Sequence, residues 1–449
     1  MQDINNQNIT ATFLKYVSLN VLSMFGLSLY VLADTFFVAN GIGADGLVAL
    51  NLAIPVYSFI NGLGLMIGIG SATLFSIAIG KGRQDSLNRI FTQAFVVAAI
   101  CGIVITACGL LFNRPLSIAL GAEGEHIIEM TSTYLKMLML FSCAFILNNL
   151  LVAFVRNDGD PRLAMIGMLS GCLFNIVFDY IFVFPMQLGI FGAALATGVS
   201  PIVSMAILSL HFLRKKNNFK LQKTKFKGAE VKKTMLTGLP SFIMEASSGI
   251  IIIVFNLTIL RIAGDLGVAA YGIIANLALV CIAIFTGVGQ GIQPILSHSY
   301  GAGRMDHVRH IYTGGAILAG ILGLVFFLVG FFFPSQIASI FNSENNAQLA
   351  ALTVDGLRIY FFGFLFAGLN IVTTSFFASI AQPRPSFVIS ALRGFALIIP
   401  FVLLLPGFFG LNGVWMAGPA TEILTLACAL ILVFRFFKKH SAHAAIRTA

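Results

Sequence analysis

Charge is what this chain has least of. Asp, Glu, Lys and Arg make up only 10% of its 449 residues, against 58% hydrophobic residues. A soluble domain carries about a quarter charged residues, so the class expected is a polytopic membrane protein. Segments of strict polar and apolar alternation are missing, which excludes an outer-membrane barrel. The six cysteines, Cys101, Cys108, Cys143, Cys172, Cys281 and Cys428, form no CxxC pair and lie near no His cluster of metal-ligand spacing, so they read as packing residues. HExxH and GxSxG are absent, and the adjacent His298 and Ser299 cannot face each other on a helix. A membrane enzyme is therefore not expected. The opening MQDINNQNIT lacks a basic start and a short apolar core, so the first span is expected to stay uncleaved.

Long apolar runs fill the chain instead. A bilayer core needs about 20 apolar residues per helix, and polar breaks divide the sequence into runs 12–39, 47–80, 90–113, 131–155, 161–184, 189–213, 235–260, 267–300, 311–333, 355–380, 385–407 and 410–437. The expected architecture is an all-α protein of twelve transmembrane helices. The division expected is a six-helix lobe 1–213, a basic linker 214–233 and a second six-helix lobe with a short basic tail, 234–449.

Net charge is +10. All but Arg114, Lys136, Arg261 and Arg358 of the Lys and Arg residues are read as lying before the first span, in or at the edges of alternate loops, or in the tail. This distribution puts both termini in the cytoplasm of a bacterial inner membrane and argues against a nucleic-acid partner. The stretch RKKNNFKLQKTKFKGAEVKK, 214–233, is expected to lie along an anionic lipid surface.

The two halves repeat. Shifted by 221 positions, Gly43, Gly46, Gly80, Gly82, Arg83 and Gly189 fall on Gly264, Gly267, Gly301, Gly303, Arg304 and Gly410. Two halves of six spans each have the same topology, so the expectation is a parallel repeat around a central cavity that opens alternately to either side. Gly62, Gly64, Gly68 and Gly70 have the spacing of close helix packing.

Four acids lie well inside runs: Asp34, Asp179, Glu245 and Glu422. A carboxylate there costs about 2.5–3.5 kcal/mol by insertion scales and marks a functional site by default. Asn175 precedes Asp179 by one helical turn and shares its face. Thr197 on the next span adds a hydroxyl. Asp34, Asn175, Asp179 and Thr197 together make an oxygen-rich set that suits Na⁺ or a shared proton, or else a helix-packing network. Glu245, followed by Ser247 and Ser248, is the lone acid expected to meet a cationic substrate or a proton in the second lobe. Glu422 follows Pro419 and has no obvious partner. Lys136 and Arg358 fall at equivalent places near the outer ends of two spans, where they can snorkel. Met137, Met139, Phe141, Phe145 and Phe364 lie on spans expected to line the cleft, with Met137 and Phe141 taken as substrate contacts.

LADTFFVANGIGADGLVALNLAIP, GDPR with NIVFDYIF after it, GIFGAALAT, GLPSFIMEASSG and the doubled GxGR loops resemble, in that order and within a six-plus-six repeat, the multidrug and toxic compound extrusion (MATE) family across nearly the whole chain. The resemblance implies an antiporter exporting organic cations or other amphiphiles in exchange for H⁺ or Na⁺, with no other cofactor and acting as a monomer. It implies that Asp34 is the first-span acid, Asn175 and Asp179 the fifth-span pair, Thr197 the sixth-span hydroxyl and Glu245 a seventh-span acid. Two departures stand out. The first span has no proline, and the tenth offers Asn370 where some members carry an acid beside Glu245. The alternative within the superfamily is a flippase for lipids or lipid-linked oligosaccharides, which should show several basic residues inside its spans.

Overall fold

The computed structural model describes residues 8–341 and 346–448, with side chains to 440; the first seven residues of the polar opening lie outside this range. Described residues are helical apart from short connections. Helix α1 is Ile9–Gly41, α2 Ala44–Gly80 and α3 Leu87–Ala119; α4 is the pair Glu125–Leu140 and Ser142–Asn157, bent by 45°. Next come α5 Pro161–Val183 and α6 Gly189–Leu208. Gly228–Gly301 is helical throughout except at Gly264 (φ 63°, ψ −159°), and is two spans, α7 (228–263) and α8 (265–301). Helix α9 is Met305–Phe332. Helix α10 is Ala347–Tyr360 continued by Phe364–Ser379. Helix α11 is Pro383–Ala391 and Ile398–Leu404, joined by a π-turn at Leu392–Ala396, and α12 is Leu411–Thr448. With α4 taken as one bent span and 228–301 as two, the described residues contain twelve spans long and apolar enough to cross a membrane.

Local chemistry sets the ends. Asn8 caps α1 by accepting from Thr10 N–H (3.1 Å), and Asp160 caps α5 by accepting from Leu163 N–H (3.2 Å) with Pro161 in the first turn. The turns between spans need left-handed backbone, and the repeat supplies it in register. Gly43 and Gly264 (φ 93° and 63°), Gly82 and Gly303 (70° and 74°), and Gly189 and Gly410 (56° and 57°) are three pairs at the same offset. The repeat seen in the sequence is thus a repeat of backbone conformation.

Two large apolar cores form, with a small third cluster around Val155, Leu163 and Leu208. One is built from residues between Val38 and Phe219; the other combines Tyr16 and Val17 of α1 with residues from Phe255 to Ala429. The first span therefore serves both bundles, its start packing on the second and its end on the first. We call the end of the molecule carrying the α2–α3 and α8–α9 turns and the 214–227 segment the basic face. Near it the bundles meet backbone to backbone. Gly80 packs on the carbonyl of His298 while Gly301 packs on the carbonyl of Ile77, and Gly70 and Gly238 sit against Thr234 and Met66. The first contact is reciprocal under the repeat, so the pseudo-twofold axis passes between the ends of α2 and α8. This bears out the packing role expected of Gly70.

The connector is structured: it docks under the first bundle. Lys220 N–H donates to Asn88 Oδ1 (2.9 Å), Gln222 N–H to Thr92 Oγ1 (3.1 Å) and Gln93 Nε2 to the Lys225 carbonyl (3.2 Å). Phe219 is 1% exposed, its ring 4.5 Å from that of Phe91 and 5.1 Å from that of Phe154. From Gly228 onward the segment is already α7.

Candidate cation and substrate site

The oxygen-rich set assembles inside the first bundle. Asp34 enters from α1, Asn175 and Asp179 from one face of α5 and Thr197 from α6, all buried. The Asn175 amide is oriented by its partners: Nδ2 donates to Asp179 Oδ2 (3.1 Å) and Oδ1 accepts from Thr197 Oγ1 (3.2 Å). Oδ1 of each aspartate is buried with no donor among the described residues, and the two carboxyls lie within hydrogen-bonding range of each other. Tyr134 of α4, which the sequence reading did not single out, is buried beside this set and reaches the Thr197 hydroxyl. Such a set of hard oxygen donors can hold a small hard cation, or a proton between its carboxyls.

Beside this set lies a cavity of ≈ 90 Å³, walled by α1, α2, α4, α5 and α6, with Gln290 of α8 reaching it from the second bundle. Tyr30 and Tyr57, bonded through their hydroxyls (2.9 Å), form part of its wall with Asn61, Phe145 and Asn149. Asn149 Nδ2 donates to Asn61 Oδ1 (2.8 Å), and Asn61 Nδ2 donates to Glu245 Oε1 (2.9 Å). The second bundle's acid is thus tied to the first bundle through two amides. Ser247 and Ser248 do not join it, since both hydroxyls bond to carbonyls of their own helix (3.1 and 2.7 Å).

Other candidates are placed differently. Met137 packs in the first apolar core, and Phe141 sits at the bend of α4 against Gly198, filling the space a side chain there would take. Neither borders the cavity, whereas Phe145 does. Phe364 is buried in the second core, stacked edge-on against Phe361. Asn370 is fully buried away from the cavity and donates to the Glu422 carbonyl (2.8 Å) and Oε2 (2.7 Å). Glu422 has a partner after all: Arg393, presented by the π-turn of α11, bonds both of its oxygens. Lys136 and Arg358 are exposed, as snorkelling requires.

Two cations assigned by the sequence to the loop side lie inside the bundles. Arg393 is one. Arg156, in the last turn of α4, is the other: it is 2% exposed, borders the cavity, and donates from Nη1 to Asn20 Oδ1 (2.8 Å) and Gln290 Oε1 (2.7 Å). Next to it Gln293 of α8 donates to Thr73 Oγ1 (3.1 Å) and Asn157 Oδ1 (3.0 Å), bridging the bundles again. The only sequence signal for Arg156 was its place one residue past the expected span boundary at 155.

A model of one family matches residues 20–181 and 240–404, the greater part of both bundles, and its description is MatE. The chain belongs to the MatE family. Its MatE fold is that of a multi-pass membrane transporter. Among its relatives, the multidrug export protein MepA of Staphylococcus aureus (strain NCTC 8325) is 29% identical over 421 residues, covering 90% of this chain and 89% of that protein. MepA of Staphylococcus saprophyticus is 27% identical over 409 residues with the same coverage. Among solved structures, a multidrug resistance MATE family transporter in an outward-facing conformation superposes with a TM-score of 0.89 at 22% identity, over 97% of this chain and 98% of that one.

Proposed function

We propose that this MatE protein is a secondary active exporter of amphiphilic or cationic small molecules, multiple drugs among them, that exchanges them for H⁺ or Na⁺ by alternating access. The single observation that carries the coupling half is the Asp34–Asp179 contact in the first bundle. Two ionised carboxylates this close in an apolar interior repel strongly, so a proton or a cation between them stabilises the pair. An ion drives a conformational change only as far as it binds the two states differently, and helices α1, α5 and α6 meet at this point. The relatives named for multidrug export support the substrate class. Glu245, held by Asn61 at the edge of the cavity, is suited to the positive end of a substrate.

The charge of the basic loops and connector supports a topology with that face, and both termini, in the cytoplasm of a bacterial cell. The chain acts as a monomer, on small molecules and not on nucleic acid, with lipid as its solvent and the coupling ion in place of a cofactor. A lipid flippase needs several uncompensated cations inside its spans; Glu422 neutralises Arg393, which leaves Arg156 alone and favours the exporter.

Efflux of a fluorescent organic cation from proteoliposomes, under separately imposed Na⁺ and pH gradients, tests this reading. One gradient should drive efflux by the native protein, and Asp34→Asn or Asp179→Asn should abolish the drive. Undiminished gradient-driven exchange by both variants would remove the site.

A further inference from the structure

Arg156 sits where a charge is costly. Its guanidinium is shut off from solvent, and no carboxylate lies within ion-pair distance among the described residues. Nη1 bonds two neutral amide oxygens, those of Asn20 and Gln290, while Nε is buried with no acceptor. A charge taken out of water and left with neutral partners destabilises the protein unless an anion completes it. A bundle-to-bundle tie alone does not explain the charge, because the adjacent Asn157–Gln293–Thr73 bridge does that work with amides and a hydroxyl. What sets Arg156 apart is that it borders the cavity. Ser204, another wall residue, is buried with its hydroxyl unpartnered, so a second donor stands ready on the same wall.

We propose that Arg156 is an anion-binding residue of the cavity, taking a carboxylate of the transported molecule. The substrate class is then sharpened to amphiphiles that carry a carboxylate, including zwitterions whose positive end points toward Asn61 and Glu245. Asn149, which leads to Asn61, lies two helical turns from Arg156 on α4, about 10 Å along the axis. A molecule with its two charges about that far apart spans both ends of the site. Arginine suits this task, since its fork of donors matches the two oxygens of a carboxylate. Gln290 holds the same guanidinium from the second bundle, so a carboxylate arriving there touches a group that both bundles share. This inference rests on the export reading only for the statement that the cavity carries substrate.

The test is equilibrium binding to the full-length protein in nanodiscs, by fluorescence polarisation, of two dyes with the same xanthene cation: rhodamine 110, with a free carboxylate, and its methyl ester rhodamine 123. The acid should bind more tightly than the ester by about ten- to a hundredfold, the range of a hydrogen bond to a charged group. Arg156→Gln should erase that preference, so that acid and ester bind with equal affinity within about threefold. Arg156→Lys, which keeps the charge, should retain part of it. An acid that binds the native protein no more tightly than the ester overturns the proposal whether or not any variant folds, and so does an equal loss of both dyes in Arg156→Gln. Replacing sodium chloride with sucrose, which brings no anion, separates a free inorganic anion from a substrate carboxylate: chloride-dependent binding of the ester would give the site to the inorganic ion and overturn the substrate assignment. Equal binding of both dyes together with gradient-driven efflux would leave the export reading standing alone. Acid preference without gradient-driven efflux would do the reverse.

Discussion

Arg393 grips Glu422 with two nitrogens, Nη2 at 2.8 Å from Oε1 and Nε at 3.0 Å from both oxygens, and both side chains are at least 85% buried. The pair lies inside the second bundle, away from the cavity. Removing either partner leaves a charge with nothing to balance it, which costs about 3–5 kcal/mol. Arg393→Gln and Glu422→Gln should each lower the thermal unfolding temperature in detergent sharply, and the double variant should recover part of the loss. Additive losses would show that the two groups do not act as a pair.

The apolar framework of this protein was legible from its sequence because span length, glycine turns and loop charge are local signals. The turns at Gly43, Gly82 and Gly189 repeat at Gly264, Gly303 and Gly410 both as letters and as left-handed backbone. Asn175 and Asp179 shared a face by spacing alone. Partners on other helices were not legible. Nothing in the sequence says that the π-turn of α11 swings Arg393 onto Glu422, or that Asn370 completes that pair instead of the cavity. Arg156 was counted with the loop cations because a span boundary read from hydropathy is uncertain by a few residues, and here those residues decide whether a charge is solvated or buried. Glu245 was placed in the second lobe correctly by chain position, yet its hydrogen bond comes from the first.

The amide relay to Glu245 makes a prediction that separates side-chain chemistry from packing. Asn61→Leu removes the donor on Glu245 Oε1, leaving that oxygen unsatisfied at about 1–3 kcal/mol, and reduces Asn149 Nδ2 to its bond with the Phe145 carbonyl (3.2 Å). Binding of a cationic dye should weaken while folding, read by monodispersity on size exclusion, persists. Asn61→Gln should restore part of the affinity. Native affinity in Asn61→Leu would mean that the relay does not set the site.

The docked connector should behave as part of the first bundle. Phe219→Ala empties a pocket among Phe75, Phe91 and Phe154, and such a truncation costs about 3–5 kcal/mol in a packed core. Because the segment is joined to the helices at both ends, the local result should be undocking, seen as faster tryptic cleavage within 214–227 in solubilised protein. An unchanged cleavage rate would show that the polar bonds to Asn88 and Thr92 suffice.

The start of α5 carries a pH signature. His211, with the Leu163 N–H and Lys216 in support, holds the Asp160 carboxyl down at about 2 against its burial. A carboxyl depressed in the folded state stabilises it above the unfolded value of about 3.9. That contribution is complete above about pH 5 and is lost as pH falls through the folded value. The melting temperature of Asp160→Asn should therefore lie below the native one by a constant margin above pH 5, and the two curves should converge toward pH 2. Parallel curves down to that pH would exclude Asp160 as the origin.

At the seam near the basic face, Gly80 and Gly301 rest on each other's helices and Gly238 lies on the backbone of Met66, with no side chain between the chains at these points. A side chain can lean, change rotamer and keep contact as its neighbours drift apart; a main chain pressed on a main chain cannot. Separation by even an ångström forfeits much of the dispersion attraction along such a line at once. The seam therefore has two conditions, shut or parted, and little in between. A Gly238→Ala wedge, costing about 1–3 kcal/mol of overpacking, should act less as a local defect than as a bias on the whole molecule, measurable as increased labelling of cysteines introduced on the basic side of the cavity.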